Sequence, residues 1–333
     1  MRREDIAFIR IIAMLMVIFT HCIDPYIFSD LKIWDFGVIQ ISQYKQIQMA
    51  MNAIDIPAFC FISGYLYEYI RKNLGKYNDT LQFLKSKAIR LISPYIFWYL
   101  FIYFSIPGRC TLSGIIYSTD HLWFLLMLMW CFIFAAISIR FWEKTSPIIN
   151  ILAYLVFSSV FLILSHFNLL TQIFCLDMFF LYFPVFFLGI LFAQYQIVEF
   201  IKKALHPGLL IVGMVLIMIV LFLVTNENYF YSYTLSRYSG TMIAILGLCF
   251  LYCIKEKLQF INTRIAKSLD KNSMGIYLIH LIVIIHLLRY NEVVQFMNQH
   301  VVIAPILLFI FSLLISWGAS AIIRKTPLSF IVS

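Results

Sequence analysis

The sequence predicts an all-α, polytopic membrane protein with about ten transmembrane helices and both termini cytoplasmic. Three observations predict it. Of 333 residues, 62% are hydrophobic and 12% charged, with a mean hydropathy of +0.90, whereas a soluble chain carries about 25% charge. Apolar stretches recur at close to the ~20 residues that a helix needs to cross a bilayer. Between them the basic residues alternate sides, nineteen Lys and Arg on one side and five on the other, as the positive-inside rule requires.

The expected spans are about 6–23, 47–69, 88–106, 121–140, 147–165, 175–195, 207–225, 236–254, 273–289 and 301–322. The second is the least regular, with Asp55, Pro57 and Ser63-Gly64 inside it, and the ninth is short. The basic side takes Arg2, Arg3, the stretch from Arg71 to Arg90 and the stretch from Lys255 to Lys271. The other side takes Lys32, Lys45, Arg109, Arg237 and Arg289, and Arg10 lies within a span. One span more or fewer would scramble this alternation, so it supports the count and an inward N-terminus together. The longest outer loop, about 24–46, holds Asp24, Asp30, Lys32, Trp34, Asp35 and Lys45.

Composition also excludes. The net charge of +9 is a topology signal rather than a nucleic-acid footprint, because the cations sit at span ends. The seven Cys follow no zinc or redox spacing, and no metal is expected. Cys110 and Cys175 are the two placed outside, and a disulfide between them is not expected. There is no cleavable leader pattern, no internal repeat and no long polar segment, so the chain reads as one membrane domain over 1–333 without an appended soluble domain.

The first span carries the chemistry. Arg10 and His21 are eleven residues apart, roughly 16 Å along a helix and almost three whole turns, hence on one face. Ionisable groups at membrane depth are costly and usually face a cavity. Arg10 lies close enough to the inner end to snorkel; the functional alternative is a cation for a phosphate or a thioester carbonyl. His21 suits a general base or an acyl acceptor. Asp24 follows it by three residues, and Asp120-His121 opens the fourth span from the same side. A carboxylate would hold the imidazole in one tautomer, and which carboxylate does so stays open. His21, Arg10 and Asp24 are the catalytic candidates.

The second span runs Asp55-Ile56-Pro57-Ala58-Phe59-Cys60-Phe61-Ile62-Ser63-Gly64-Tyr65-Leu66. Pro57 and Gly64 make it a candidate broken helix lining a cavity, or Gly64 simply lets another helix approach. Lys87 and Arg90, one turn apart at the inner mouth of the third span, are either a positive-inside flank or a phosphate clamp. His121 opens the fourth span; Tyr277 and His280 lie early in the ninth. His286 is either a further interior residue or bonded to its own helix. His166, His206 and His300 fall in loops and take no role.

These residues fall into an ordered set of motifs. Arg10-X10-His21 resembles the signature of the acyltransferase-3 family of membrane acyltransferases. The segment 56–66 resembles its apolar-Phe-Phe-Ser-Gly-Tyr segment, with Cys60 in place of an aromatic. Arg90 with Pro94-Tyr95, His121-Leu122-Trp123-Phe124-Leu125, Phe186-Phe187-Leu188-Gly189-Ile190 and Tyr277-Leu278-Ile279-His280 are similar to later elements. The resemblance implies a bacterial plasma-membrane enzyme that moves an acyl group, most often acetyl, from a cytoplasmic acyl-CoA to a hydroxyl on an extracytoplasmic glycan or lipid-linked sugar. It makes His21 the catalytic histidine, with Arg10 and Arg90 shaping the donor path. Lys87, Ser63, Tyr65, His121, Tyr277 and His280 are the further donor-binding candidates. Many members carry an extra soluble domain that relays the acyl group; none is expected here, so the chain acts alone, as a homo-oligomer or with a separate envelope partner. A second class is kept: membrane serine racemases contain a similar ten-span region thought to move an amino acid, which makes a small-solute transporter the alternative. The Arg10–His21 pair favours the enzyme.

Overall fold

The computed structural model describes residues 4–28, 35–77, 79–166, 172–224, 229–254 and 263–332. Asp30, Lys32 and Trp34 of the first outer loop, Arg2 and Arg3, Lys255 and Lys257, and the side chains of His166 and Arg237 lie outside the described residues. Among those described there are α-helices and short 3-10 turns and no strand.

The helices are α1 (Glu4–Ile23), α2 (Ser42–Asn52), α3 (Asp55–Leu74), α4 (Thr80–Ser105), α5 (Trp123–Lys144), α6 (Pro147–His166) and α7 (Leu176–Gln194). They continue as α8 (Ile197–Ala204), α9 (Pro207–Val224), α10 (Tyr229–Ile254), α11 (Arg264–Leu287), α12 (Asn291–Gln299) and α13 (Ile303–Ile323). Each of the ten expected segments falls on a helix. Seven are long and apolar enough to cross a membrane by length and composition, with α2 and α3 counted as one. The α8–α9 pair, bent by 109°, makes up to eight; Pro147–Val160 and Ser239–Ile254 are shorter apolar helices.

Local chemistry sets the boundaries. Pro25 helps end α1, since it has no N–H to donate to the preceding turn, and the chain continues through a 3-10 turn at Asp24–Tyr26. The Asp79 carboxylate accepts from the Leu81 and Gln82 N–H groups and caps α4. The second expected span is interrupted at Ala53-Ile54 rather than at Pro57, which sits in the first turn of α3, where a missing N–H costs nothing. The ninth expected span, from 273, starts instead at Arg264: Thr263 caps α11 through the Ala266 N–H, so polar residues extend the helix below the apolar stretch. α8 and α12 were not expected as elements; each is short and two-faced.

The chain divides into two compact units, one from residues 1–58 and 206–333 and the other from 59–205. In the first, α1 packs on α2, α10, α11 and α13. Ser312, Ser316 and Ser320 of α13, all fully buried, recur every fourth residue and so share one face. The Ser320 hydroxyl donates to Asn272 Oδ1 at 3.1 Å, and small residues let helices approach closely in a membrane. In the second unit α5 packs on α4 and α7, and α6 on α7. Gly64 of α3 lies against the Phe186 carbonyl of α7, and Gly189 of α7 against the backbone of Phe61 and Tyr65. This is the helix-approach role for Gly64. All seven cysteines are free thiols.

Because a Cβ at Gly64 would fall on the Phe186 carbonyl while one at Gly318 meets nothing within 4 Å, Gly64→Ala and Gly318→Ala should separate. Overpacking costs ~1–3 kcal/mol, so Gly64→Ala should lower the thermal midpoint of the purified protein by several degrees and Gly318→Ala should not lower it. Equal midpoints would contradict the close crossing.

Candidate active site

In the first unit a carboxylate is fixed at the end of α1. Asp24 is 5% exposed. Its Oδ2 lies 2.7 Å from His21 Nδ1 and its Oδ1 accepts from Gln48 Nε2 at 2.6 Å. One oxygen thus serves the imidazole and the other is held by a side-chain amide of α2. An ionised carboxylate only accepts. A neutral His21 therefore carries its proton on Nδ1 and leaves Nε2 as the acceptor, the form a general base needs. The question of which carboxylate meets His21 resolves to Asp24, since Asp120 is bound on both oxygens by Arg109, at 3.0 and 2.5 Å.

A second imidazole stands beside the first. His280 is fully buried, and its ring centroid lies 5.3 Å from that of His21 with planes tilted by 35°. Its Nδ1 faces the Ile276 carbonyl at 3.2 Å, and Tyr277 lies one turn back with centroids 5.9 Å apart. His286 is bonded to its own helix through the Ile282 carbonyl at 2.8 Å.

The other end of α1 holds Arg10, whose Nη1 donates to Asp270 Oδ1 of α11 at 3.0 Å. Its side chain is 31% exposed. Two contacts at matched spacing, Arg10 with Asp270 and His21 with His280, make α1 and α11 run parallel. Asp270 was missed because the ninth span was started at residue 273; starting the helix at Thr263 would have placed it on the same element as His280. Gln48 was missed because an uncharged amide carries no signal of its own in the sequence.

In the second unit Ser63 is half-buried, and Tyr65 is buried and stacked on Tyr69, centroids 6.1 Å apart. Arg90 is exposed. The Lys87 ammonium sits 4.2 Å from the centre of the Phe132 ring, a cation–π contact. Phe132 is nine residues beyond the start of α5, so Lys87 and the buried His121 lie well over ~10 Å apart along that helix and do not form one site. Near Lys87 is a cavity of about 290 Å³ lined by Tyr67, Arg71, Tyr77, Phe83, Arg140 and Glu143 among others. Arg71 binds Glu68 through two nitrogens at 2.9 Å and Glu143 at 2.5 Å. Burial pushes the Tyr77 phenol up, and nearby Arg90 opposes this. Arg71 and Arg140 as wall residues were not singled out from sequence, where they read as positive-inside charges. No group of three metal-binding side chains occurs among the described residues.

The family model of the acyltransferase domain, acyltransferase-3, matches residues 3–323. The chain belongs to the acyltransferase-3 family. As a member with seven apolar helices of spanning length, it is a multi-pass membrane acyltransferase. Comparisons with curated proteins and with solved structures give no match.

In acyl transfer Asp24 and its partner Gln48 should differ in weight. Asp24→Asn can donate to Nδ1 and so stabilise the wrong tautomer; the rate should fall about 10²–10⁴-fold, the usual range for an acid–base group. Gln48→Ala should cost about tenfold, because one carboxylate hydrogen bond is worth about 1.5 kcal/mol. Steady-state kinetics on both variants checks this; equal losses would deny Asp24 the orienting role.

Proposed function

We propose that the protein moves an acyl group, most often acetyl in its family, from cytoplasmic acyl-CoA to a hydroxyl of an extracytoplasmic glycan or lipid-linked sugar. The observation that carries the reading is the 2.7 Å contact of the half-buried His21 with the buried Asp24 at the end of the Arg10-X10-His21 helix. His21 Nε2 takes the proton of the acceptor hydroxyl as its oxygen attacks the thioester carbonyl. The carbon–sulfur bond breaks, and the CoA thiolate recovers that proton from His21. Asp24 stays ionised and holds the ring. His280 walls the imidazole, with Tyr277 against His280.

The donor is a polyanion attached to a purine. The second unit's 290 Å³ cavity supports such a donor: the exposed Arg140 supplies a cation beside the Arg71 that Glu68 and Glu143 hold, and Tyr67 and Tyr77, stacked with planes 8° apart, supply a flat aromatic wall. It lies where α3 ends and α4 begins, the end that the positive-inside rule assigns to the cytoplasm. Lys87 and Arg90 then act beside this cavity rather than as a two-residue clamp. The acceptor belongs on the opposite side of the plasma membrane, at the end of α1 where His21 lies.

The test is transfer of label from acetyl-CoA, labelled in the acetyl group, to a membrane glycan fraction by protein reconstituted in nanodiscs. His21→Ala should reduce transfer about 10²–10⁴-fold while remaining folded and inserted; undiminished transfer would reject His21. Arg10→Ala should raise KM for acetyl-CoA about tenfold, the worth of a charge-assisted hydrogen bond, and Asp270→Asn should raise it less. Equal changes would make Arg10 only the partner of Asp270.

A further inference from the structure

A second cavity, about 210 Å³, lies in the second unit between the loop joining α4 to α5 and the residues leading into α7. That is below the ~300–1,000 Å³ of sites for drug-sized ligands and suits a single small ring. Two aromatic residues line it. Trp123 is backed by Tyr182, centroids 5.6 Å apart and planes at 25°, and Tyr117 is 53% exposed. Ser118, Thr119, Asp120, Gln172 and Asp177 add a polar wall, and Cys175 and Met178 complete the lining.

The charges define what this wall accepts. Arg109 is the cation beside the cavity, and both its Nε and Nη2 are committed to Asp120 with the pair almost fully buried. Asp177 makes no ion pair among the described residues. With both Asp120 oxygens held by Arg109, the wall offers the Asp177 carboxylate and the Gln172 amide, and no available cation, so a phosphate or other anion is disfavoured. A neutral pyranose fits both halves: its C–H face packs on an aromatic ring, and its hydroxyls donate to the Asp177 carboxylate and the Gln172 amide oxygen.

The cavity is also rigidly built. Among the described residues six that are not glycine have a left-handed backbone, and four of these lie here: Ser118 (φ 67°), Asp120 (φ 44°), Phe174 (φ 52°) and Cys175 (φ 57°). Such conformations persist only where the surroundings over-determine them, and they cluster at ligand sites. The determinants are visible: the Tyr95 and Tyr99 hydroxyls donate to the Ile115 and Thr111 carbonyls at 2.5 and 2.8 Å, and Arg109 clasps Asp120 across the loop. The positive-inside assignment puts this loop outside.

We propose that this cavity binds one neutral sugar ring of the acceptor; its place in acyl transfer rests on the function proposed above, and its sugar binding does not. The experiment measures equilibrium binding of radiolabelled methyl glycosides of glucose, galactose and N-acetylglucosamine to the nanodisc-embedded protein, with glycerol and inorganic phosphate as competitors. At least one glycoside should bind saturably, and neither competitor should displace it. Trp123→Ala and the exposed Gln172→Ala should each weaken binding about tenfold or more, Trp123→Phe should keep most of it, and His21→Ala should bind as wild type. In the transfer assay Trp123→Ala should raise the acceptor KM more than the KM for acetyl-CoA. No saturable glycoside binding, binding untouched by Trp123→Ala and Gln172→Ala, or displacement by phosphate or glycerol would overturn the proposal. Intact sugar binding with no transfer from any acyl-CoA would instead overturn the acyl-transfer reading alone.

Discussion

A carboxylate buried at the end of a membrane helix must be satisfied on both oxygens. Asp24 meets that demand with His21 on one side and Gln48 on the other. An unpaired buried charge costs several kcal/mol, so these two partners fix the end of α1 and its approach to α2. α1 ends at Ile23, and Asp24 opens the 3-10 turn that Pro25 continues. The same bond that satisfies Asp24 selects the proton position on His21, so stability and chemical readiness have one cause.

The rest of the first unit is built to keep that helix end in place. Arg10 and Asp270 tie the opposite end of α1 to α11, and His280 of the same helix stands against His21. The buried serines of α13 and Asn272 of α11 bring those helices together through hydrogen bonds. The second unit relies on a different device, reciprocal glycines in α3 and α7 with a stacked aromatic interior around them. Both devices answer the same problem: between apolar helices in lipid, close packing and polar contacts do what water exclusion does in a soluble core.

Much of this was legible in the sequence, and what was not has a physical reason. Hydropathy located the apolar helices, because burial in lipid is a property of composition. The Arg10-X10-His21 spacing singled out the helix that bears the imidazole, and Asp24 was already among its candidate partners. Pairings were less legible. Gln48 and Asp270 are set by how helices pack, and neither stands out by type or spacing. Polar residues 264–272 hid the start of α11, since a helix can run on past its apolar stretch once Thr263 caps it. Lys87 illustrates the converse: its position was found, but its ammonium faces the Phe132 ring, which charge counting does not reveal. The two cavities of the second unit arise where loops meet helix ends, and their linings are scattered through the chain.

Everything at this site follows from the proton position that Asp24 imposes on His21. The most direct measurement is nitrogen NMR of protein labelled in its histidine rings, with the His21 signals assigned by their loss in His21→Gln. His21 should be neutral and protonated at Nδ1, with that state lost in Asp24→Asn. A His21 protonated at Nε2, or one whose tautomer is the same with and without the Asp24 carboxylate, would contradict it.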